Sequence, residues 1–167
     1  DRWSDLGVVM QLYFKEIETP VGRLKLVAHD QALVAVLWEN ESPNRVRIAT
    51  LIEDQNHPIL LNTQQQLTEY FNHQRTVFDL ALDFQGTDFQ KKVWQALLTI
   101  PFGETRSYKQ IAEQIGNVKA VRAVGAANGK NPISIIAPCH RVVGANGKLV
   151  GFAGGLENKE ILLKIEK

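Results

Sequence analysis

Ser107–Asn128, which reads SYKQIAEQIGNVKAVRAVGAAN, decides the fold of the second half of this chain. Ser107 and Gln110 have the spacing of a capping box, in which each side chain satisfies a backbone N–H group near the other residue. Two isoleucines one helical turn apart follow, and Gly116 comes next as a residue that commonly ends a helix. The spacing predicts a short helix that begins after Ser107 and ends before Gly116.

A second helix is predicted to follow at once, from Val118 to about Asn128, with Val121 and Val124 facing inward and Arg122 facing outward. Two short helices joined by a glycine-containing turn form the helix-turn-helix pattern of many DNA-binding proteins. Helical hairpins that bind no DNA share this pattern, so it indicates DNA binding only together with other evidence.

The second predicted helix is unusually rich in small residues. A recognition helix that contacts base edges in the major groove normally presents long polar side chains. A surface of small residues instead suits a close backbone approach, either to a narrow minor groove or to another helix. Both interpretations stay open from the residues alone; the small residues are Ala120, Ala123, Gly125, Ala126, Ala127 and Gly129.

The only cysteine of the chain, Cys139, lies beside His140 in the run Ile135-Ile136-Ala137-Pro138-Cys139-His140-Arg141-Val142-Val143. A thiolate is a strong nucleophile, and an imidazole can generate one near neutral pH. Without a second cysteine the chain has no disulfide partner, no resolving thiol and no cysteine-based metal cage. Most lone cysteines are small buried apolar residues, but the flanking residues favour a nucleophile here.

The first half of the chain is rich in β-forming residues. Three short apolar segments, Leu12–Ile17, Leu24–Ala28 and Leu33–Trp38, are separated by turn-forming residues and predict an antiparallel three-stranded meander. A short helix is predicted over Val46–Ile52 and a longer one over Ile59–Gln74. The expected fold class is therefore α/β (α+β), with a small antiparallel sheet and a helix first and a mainly helical domain second.

Charge is divided unevenly between the two halves. Residues 1–85 carry 7 Lys/Arg against 12 Asp/Glu, whereas residues 86–167 carry 12 against 6, although the whole chain has a net charge of only +1. Such asymmetry is expected when one half alone contacts nucleic acid. We expect an N-terminal α/β domain over 10–85 and a DNA-binding domain over 86–167, whose first helix is capped by Thr87.

The composition and the N-terminal residues limit the classes of protein to which this chain can belong. Residues 1–9 precede the only methionine and show no periodicity, so we interpret them as an expression-derived leader. No apolar run has the length of a membrane span, and one cysteine is typical of a reducing compartment. We expect a cytoplasmic protein, without membrane contact and monomeric by default.

The cysteine run matches a known signature. Pro138-Cys139-His140-Arg141-Val142-Val143 resembles the active site of the O6-alkylguanine-DNA alkyltransferases, also called methylated-DNA–protein-cysteine methyltransferases. The first half fits the ribonuclease-H-like N-terminal domain of that family in size and pattern only. Over roughly residues 86–166 the resemblance extends to Ser107-Tyr108, Arg122-Ala123-Val124-Gly125, Asn131-Pro132 before the strand expected to carry the cysteine, and Gly154-Gly155-Leu156.

The resemblance implies repair of double-stranded DNA by direct reversal. An alkyl group would move from O6 of guanine, and also from O4 of thymine, to Cys139 by displacement at an sp³ carbon. His140 would act as the base through a bridging water, and Glu166 would orient His140. Tyr108 would donate a hydrogen bond to the leaving guanine. Asn131 would bind backbone and help to hold the thiol in place.

The resemblance also assigns contacts to DNA and to the damaged base. Arg122 would fill the space that the nucleotide vacates when it is flipped out through the minor groove. The other DNA-binding residues that it implies are Ser107, Tyr108, Ala123, Gly125, Ala126 and Ala127. The pocket for the base and its alkyl group would be formed by Pro138, Val142, Phe152, Ala153, Gly154 and Gly155.

Three positions depart from the pattern of relatives. Phe152 stands where relatives often have tyrosine, Ala153 stands where some have serine, and Asn128 replaces an apolar residue found in some. These departures bear on the breadth of substrates, not on the type of reaction. No cofactor is implied, and the zinc that some relatives carry in the N-terminal domain is not expected, because that half has no cysteine.

Two other functions are compatible with parts of the sequence. A Cys-His hydrolase would need an oxyanion hole and would not explain the helix-turn-helix. A non-catalytic protein that senses alkyl damage would lack the reactive cysteine that this chain has. For the alkyltransferase, the product is a thioether that no second thiol can release, so we expect one turnover per molecule.

Overall fold

The computed structural model describes residues 10–42, 45, 46, 48 and 50–167. The chain divides into two compact units, of which the first ends at Gln85 and the second runs from Gly86 to Lys167. The proposed leader, residues 1–9, lies outside the described residues. None of the described helices combines the length and the apolar character that crossing a bilayer requires.

A four-stranded sheet with the order β3-β2-β1-β4 forms the first unit. Its strands are β1 (Leu12–Thr19), β2 (Gly22–Ala28), β3 (Leu33–Trp38) and β4 (Leu51–Glu53). The first three pair as an antiparallel meander, which confirms the prediction from their apolar segments and short connections.

The helix predicted over Val46–Ile52 is wrong. Val46 and Ile48 are not helical, and Leu51–Glu53 is the strand β4, which pairs in parallel with the first residues of β1. Pairing with β1 instead gives the backbone of both strands ladder hydrogen bonds that the edge of β1 would otherwise lack.

One helix, α1 (Pro58–Phe71), packs on the sheet against β1, β2 and β3. It confirms the helix predicted over Ile59–Gln74, although it ends three residues earlier. His57 caps the helix by accepting a hydrogen bond from the Ile59 N–H. Pro58 suits the first position of the helix, because a backbone N–H there would have no carbonyl partner within the helix. Its buried face includes Leu60 and Leu67.

Helices dominate the second unit. They are α2 (Asp88–Leu97), α3 (Tyr108–Gln114), α4 (Val121–Gly129) and α5 (Leu156–Ile165), with a 3₁₀ helix at Cys139–Arg141. Two strands of two residues each, β5 (Arg106–Ser107) and β6 (Val142–Val143), pair in parallel. The mixed fold class expected from the sequence is confirmed.

Both predicted caps are present. Thr87 and Gln90 form a capping box at the start of α2, and Ser107 and Gln110 form one at the start of α3. In each, the side-chain oxygen of the first residue accepts the N–H of the fourth, and the glutamine side chain accepts the N–H of the first.

The start of α4 differs from the prediction. It begins at Val121, not at Val118, since Ala120 closes a turn on the carbonyl of Asn117 and offers no capping side chain. Val124 is buried as expected, but Val121 is 37% exposed. Helical side chains lean toward the N-terminus of their helix. A side chain at the first position therefore points past the helix end instead of into the core.

Trp94 fixes α2 to α4. Its indole Nε1 donates a hydrogen bond to the carbonyl of Ala127 at 2.8 Å, and its ring is buried. Gly86 lies against the ring, because a Cβ there would be 2.6 Å from two of the ring carbons. The position of α4 thus depends on a glycine at the start of the unit.

Replacing Gly86 by alanine should destabilise the protein by about 1–3 kcal/mol, since Trp94 cannot move away from the new methyl group without straining its hydrogen bond to Ala127. Denaturant unfolding measures the change. Gly129→Ala is the control, because the added Cβ meets nothing within 4 Å and alanine favours a helix. Equal stability of Gly86→Ala and wild type would contradict this packing.

Candidate active site

Cys139 is the first residue of the 3₁₀ helix and is only 3% exposed. The strand predicted to carry Cys139 is wrong, because only Val142–Val143, after the 3₁₀ helix, is extended. The reason lies at Pro138, whose φ of −82° and ψ of 68° are those of an inverse γ-turn. The N–H of Cys139 donates to the carbonyl of Ala137 at 2.8 Å across this turn.

A second tight turn precedes the first. Ile135 has a φ of 72°, in the left-handed region that β-branched residues rarely adopt. The N–H of Ile136 bonds to the carbonyl of Ser134 at 2.9 Å, so Ile135 is the centre of a γ-turn of the strained type. Two γ-turns within six residues fold the chain sharply at the thiol.

Asn131 holds this folded segment together. Its Nδ2 donates to the carbonyl of Ala137 at 2.8 Å, and its Oδ1 accepts from the N–H of Ile133 at 3.0 Å. The side chain is fully buried, and residues 132–140 are all buried as well. One amide therefore links the beginning of the segment to the residue two positions before Cys139.

His140, Glu166 and Arg141 form a buried charged cluster. Nε2 of His140 lies 2.7 Å from Oε2 of Glu166, which caps the end of α5. Arg141 donates to both oxygens of the same carboxylate, at 2.7 and 3.1 Å, and to the carbonyl of Ile100 at 2.6 Å. The carboxylate therefore accepts three hydrogen bonds, and the fork of Arg141 fixes its plane.

The buried position of His140 favours its neutral form. Complete burial lowers the pKa of His140; the Glu166 carboxylate opposes this effect, and the positive charges of Arg141 and Lys159 reinforce it. Since Nε2 faces a carboxylate, it carries the ring proton, and Nδ1 is left as an acceptor. That buried Nδ1 has no hydrogen-bond partner among the described residues. His140 is thus prepared to accept a proton there.

Lys159 is a buried lysine of α5 with 0% exposure. Its Nζ donates to the carbonyl of Val142 at 2.7 Å and to that of Val150 at 3.2 Å, and it lies 5.9 Å from the ring centroid of Phe152. Burial lowers the pKa of Lys159, and a charge on Cys139 raises it. Lys159 links the strand after the cysteine to the loop that precedes α5.

Tyr108 is brought to this site by the small parallel sheet, in which Ser107 pairs with Val143. It is the first residue of α3 and is half-buried. Burial and the charge of Cys139 raise the pKa of Tyr108, whereas a side-chain hydrogen bond with Asn128 lowers it. The phenol therefore stays protonated and can donate a hydrogen bond.

The predicted DNA-binding residues of α4 fall into two groups. Arg122, Ala123 and Ala126 are exposed, so they form an outer face on which only the arginine is long. Gly125 is half-buried, and Ala127 is buried, with its carbonyl bonded to the ring of Trp94. Ala127 therefore faces the interior, so it contributes to packing and offers no surface to a duplex.

The predicted pocket residues lie in two segments. Pro138 and Val142 are buried beside the cysteine, whereas Phe152, Ala153 and Gly154 are half-buried in the loop before α5. That loop ends at Gly155, which has a φ of 90°, and the side chain of Asn158 donates to the Gly154 carbonyl at 2.9 Å. A conformation with positive φ suits glycine at this position.

We did not foresee two of the buried residues that hold the site. Arg141 was visible in the cysteine run, but its contact with Glu166 spans 25 positions and leaves no local pattern. Lys159 has charged neighbours on a helix, and such a lysine is usually solvated. Only the fold shows that both cations are buried beside the reactive residues.

Comparisons with known proteins find relatives over most of the chain. Residues 12–84 match the ribonuclease-like domain, and residues 88–167 the DNA-binding domain, of 6-O-methylguanine DNA methyltransferase. The methylated-DNA–protein-cysteine methyltransferase of Mycobacterium tuberculosis is 47% identical over 158 residues, which cover 93% of each chain. The one of Methanosarcina barkeri is 47% identical over 157 residues, which cover 93% of this chain and 98% of that protein.

Solved structures give the same result. The crystal structure of Mycobacterium tuberculosis OGT in complex with DNA superposes with a TM-score of 0.85 at 47% identity, covering 93% of this chain and 92% of that one. The structure of Mycobacterium tuberculosis O6-methylguanine methyltransferase superposes with a TM-score of 0.84 at 47% identity, covering 94% and 93%.

The unfolding free energy should fall as the pH decreases below about 6.5. In the unfolded chain His140 has its ordinary pKa near 6.5, whereas burial lowers its pKa in the folded protein. The unfolded state therefore binds more protons in this range, and stability decreases by up to about 1.4 kcal/mol per pH unit.

Denaturant unfolding between about pH 8 and about pH 5 tests this expectation. His140→Gln should show a shallower decrease than wild type. His73→Asn is the control, because His73 is exposed and asparagine tolerates its φ of 60°. A slope that is the same in His140→Gln and in wild type would contradict the proton linkage.

Proposed function

Since this chain belongs to the 6-O-methylguanine DNA methyltransferase family and is a methylated-DNA–protein-cysteine methyltransferase, we propose that it repairs O6-alkylguanine in double-stranded DNA by transferring the alkyl group to Cys139. The observation that carries the proposal is the lone thiol beside a buried His140–Glu166 pair whose free nitrogen is an acceptor. A helix-turn-helix in the same unit provides the element that meets DNA.

The proposed chemistry is a displacement at the alkyl carbon. Sγ of Cys139 forms a bond to the carbon as the carbon–O6 bond breaks, and the electron pair passes to the guanine. The thiol proton passes through a bridging water to Nδ1 of His140, which Glu166 orients through Nε2. The hydroxyl of Tyr108 donates to a ring nitrogen of the leaving base, where electron density increases.

The reaction is proposed to occur once per molecule. Its product is a thioether, from which water does not displace the thiolate because the thiolate is a poor leaving group. The chain has no second cysteine to accept the alkyl group. Cys139, His140, Glu166 and Tyr108 all belong to one unit of one chain. A monomer therefore contains every group that the reaction needs.

We propose that α4 docks in the minor groove and that Arg122 replaces a flipped-out nucleotide. The exposed face of α4 carries Ala123 and Ala126, whose short side chains allow the backbone to approach the duplex. Arg122 is the long cationic side chain on that face. The excess of Lys and Arg over residues 86–167 favours the phosphate backbone.

We also propose that O4-alkylthymine is a substrate. Phe152 and Ala153 have no side-chain hydroxyl, so at these two positions only backbone groups can contact the polar edge of the base. Backbone contacts to an alkylated oxygen do not distinguish a purine from a pyrimidine as strictly as side chains placed for one base would.

Incubation with a duplex that contains O6-methylguanine should add the mass of one methylene, about 14 Da, to the peptide that carries Cys139. The gain should saturate at one per chain, as intact-protein and peptide mass spectrometry would show. Cys139→Ala should bind the same duplex and gain no mass.

The same measurement separates the alternatives. Repair of several lesions per chain with unmodified protein would indicate a hydrolase. Binding of the lesion by the wild type without any gain of mass would indicate a damage sensor. Loss of DNA binding in Cys139→Ala would indicate that the thiol is structural.

Arg122→Ala should slow repair in a duplex by about tenfold or more, since extruding a base costs a few kcal/mol that the arginine would offset. Transfer from free O6-benzylguanine, which needs no flipping, should keep its wild-type rate. Lys130→Ala is the matched control, because it removes the same charge from the other end of α4. An equal loss on both substrates would contradict the flipping role.

A further inference from the structure

Lys159 is a buried cation that the proposed reaction does not use. It lies near the start of α5 and is 0% exposed, although a lysine is rarely buried completely. Burying an ammonium group costs free energy that an apolar side chain of the same length would not cost. Packing alone therefore does not explain a lysine at this position.

The Nζ atom of Lys159 connects two segments of the chain. It donates to the carbonyl of Val142, in β6, at 2.7 Å and to the carbonyl of Val150 at 3.2 Å. An ammonium group has three hydrogens, so one lysine can donate to both carbonyls at once. Val142 lies three positions after Cys139, and Val150 lies in the loop that leads to α5. Lys159 thus ties this loop to the strand that follows the nucleophile.

Residues 150–155 form the pocket loop, which contains most of the residues expected to contact the base. The centroid of the Phe152 ring lies 5.9 Å from Nζ of Lys159, and the Gly154 carbonyl accepts a hydrogen bond from Nδ2 of Asn158 at 2.9 Å. Two consecutive residues of α5 therefore contact the pocket loop at positions 150, 152 and 154. The position of this loop depends on the side chains that α5 presents to it.

We propose that Lys159 is a positioning residue that holds the pocket loop against β6, so that the pocket is formed before the base enters it. This inference rests on the proposed function and adds to it the group that preorganises the pocket. Without the lysine, the loop would have to become ordered when a base binds, and the lost conformational freedom would weaken binding. Cys139, His140 and Glu166 lie outside the loop, so the chemical step should keep its rate.

Lys159→Met tests the proposal with free O6-benzylguanine as the substrate. Methionine has nearly the length of lysine and donates no hydrogen bond. The concentration of O6-benzylguanine that gives half the maximal rate should rise about tenfold, the value of one hydrogen bond, and the maximal rate should stay that of wild type. Lys164→Met is the matched control, since it removes an exposed lysine from the same helix, and it should change neither quantity.

A purely structural role predicts a different result. Since each chain is proposed to react once, a partly unfolded variant would react with a smaller fraction of its chains, and the folded chains would keep the half-saturation concentration of wild type. Intact-protein mass spectrometry measures the reacted fraction. The rate of the mass gain at several concentrations of O6-benzylguanine gives the maximal rate and the half-saturation concentration.

Limited digestion by trypsin follows the loop directly. Lys148 is exposed and lies two positions before Val150, so the bond after Lys148 should be cut faster in Lys159→Met than in wild type. Other sites in the same unit should be cut at the wild-type rate. Faster cleavage at every site would mean that the whole unit unfolds, and it would overturn the specific tie to the pocket loop. If Lys159→Met does not fold, Lys159→Gln, whose shorter side chain cannot span both carbonyls, replaces it with the same expected results.

The two proposals fail separately. A wild-type half-saturation concentration in a folded Lys159 variant overturns the positioning role and leaves the repair reaction intact. A wild-type protein that gains no mass on Cys139 from O6-methylguanine in a duplex overturns the repair reaction and this inference with it. A higher half-saturation concentration at an unchanged maximal rate, together with faster cleavage after Lys148 alone, supports the positioning role.

Discussion

The carboxylate of Glu166 is the interaction on which the active site depends. It is buried at the end of α5 and accepts hydrogen bonds from His140 and twice from Arg141. A buried charge without partners would cost several kcal/mol. Here Arg141 donates to both oxygens of the carboxylate and so compensates its burial. The hydrogen bond at Nε2 fixes the tautomer of the imidazole, and its buried Nδ1 is left as an acceptor.

Turns of the backbone present the nucleophile, and buried side chains hold the flanking stretches of chain in place. Asn131 links the ends of a segment that contains two γ-turns, and Lys159 bonds to carbonyls on either side of the loop after β6. The parallel pairing of Ser107 with Val143 then places Tyr108 beside the same segment. Three separate stretches of chain thus reach one position, although none of them is long enough to form a stable element alone.

Local patterns predicted the elements with strong local signals and failed elsewhere. The capping boxes at Thr87 and Ser107 gave the starts of α2 and α3, because the interaction that fixes each start lies within four residues. The strand β4 was missed because its stability comes from β1, some forty positions earlier. In the site, the motif around the cysteine predicted Cys139 and His140. The burial of Lys159 could not be predicted, because it depends on how the whole unit folds.

Three unfavourable features lie around the thiol. Ile135 has a positive φ, which costs about 1–3 kcal/mol in a residue of its type. Asn128 leaves an acceptor unpaired, and Lys159 is a cation in the protein interior. Each is unfavourable for folding, and each lies on a segment that contacts Cys139 or the strand after it. A protein gains nothing from three such costs in one place unless the geometry of that place is what selection maintains. These three costs therefore indicate the same reactive centre as the motif around Cys139.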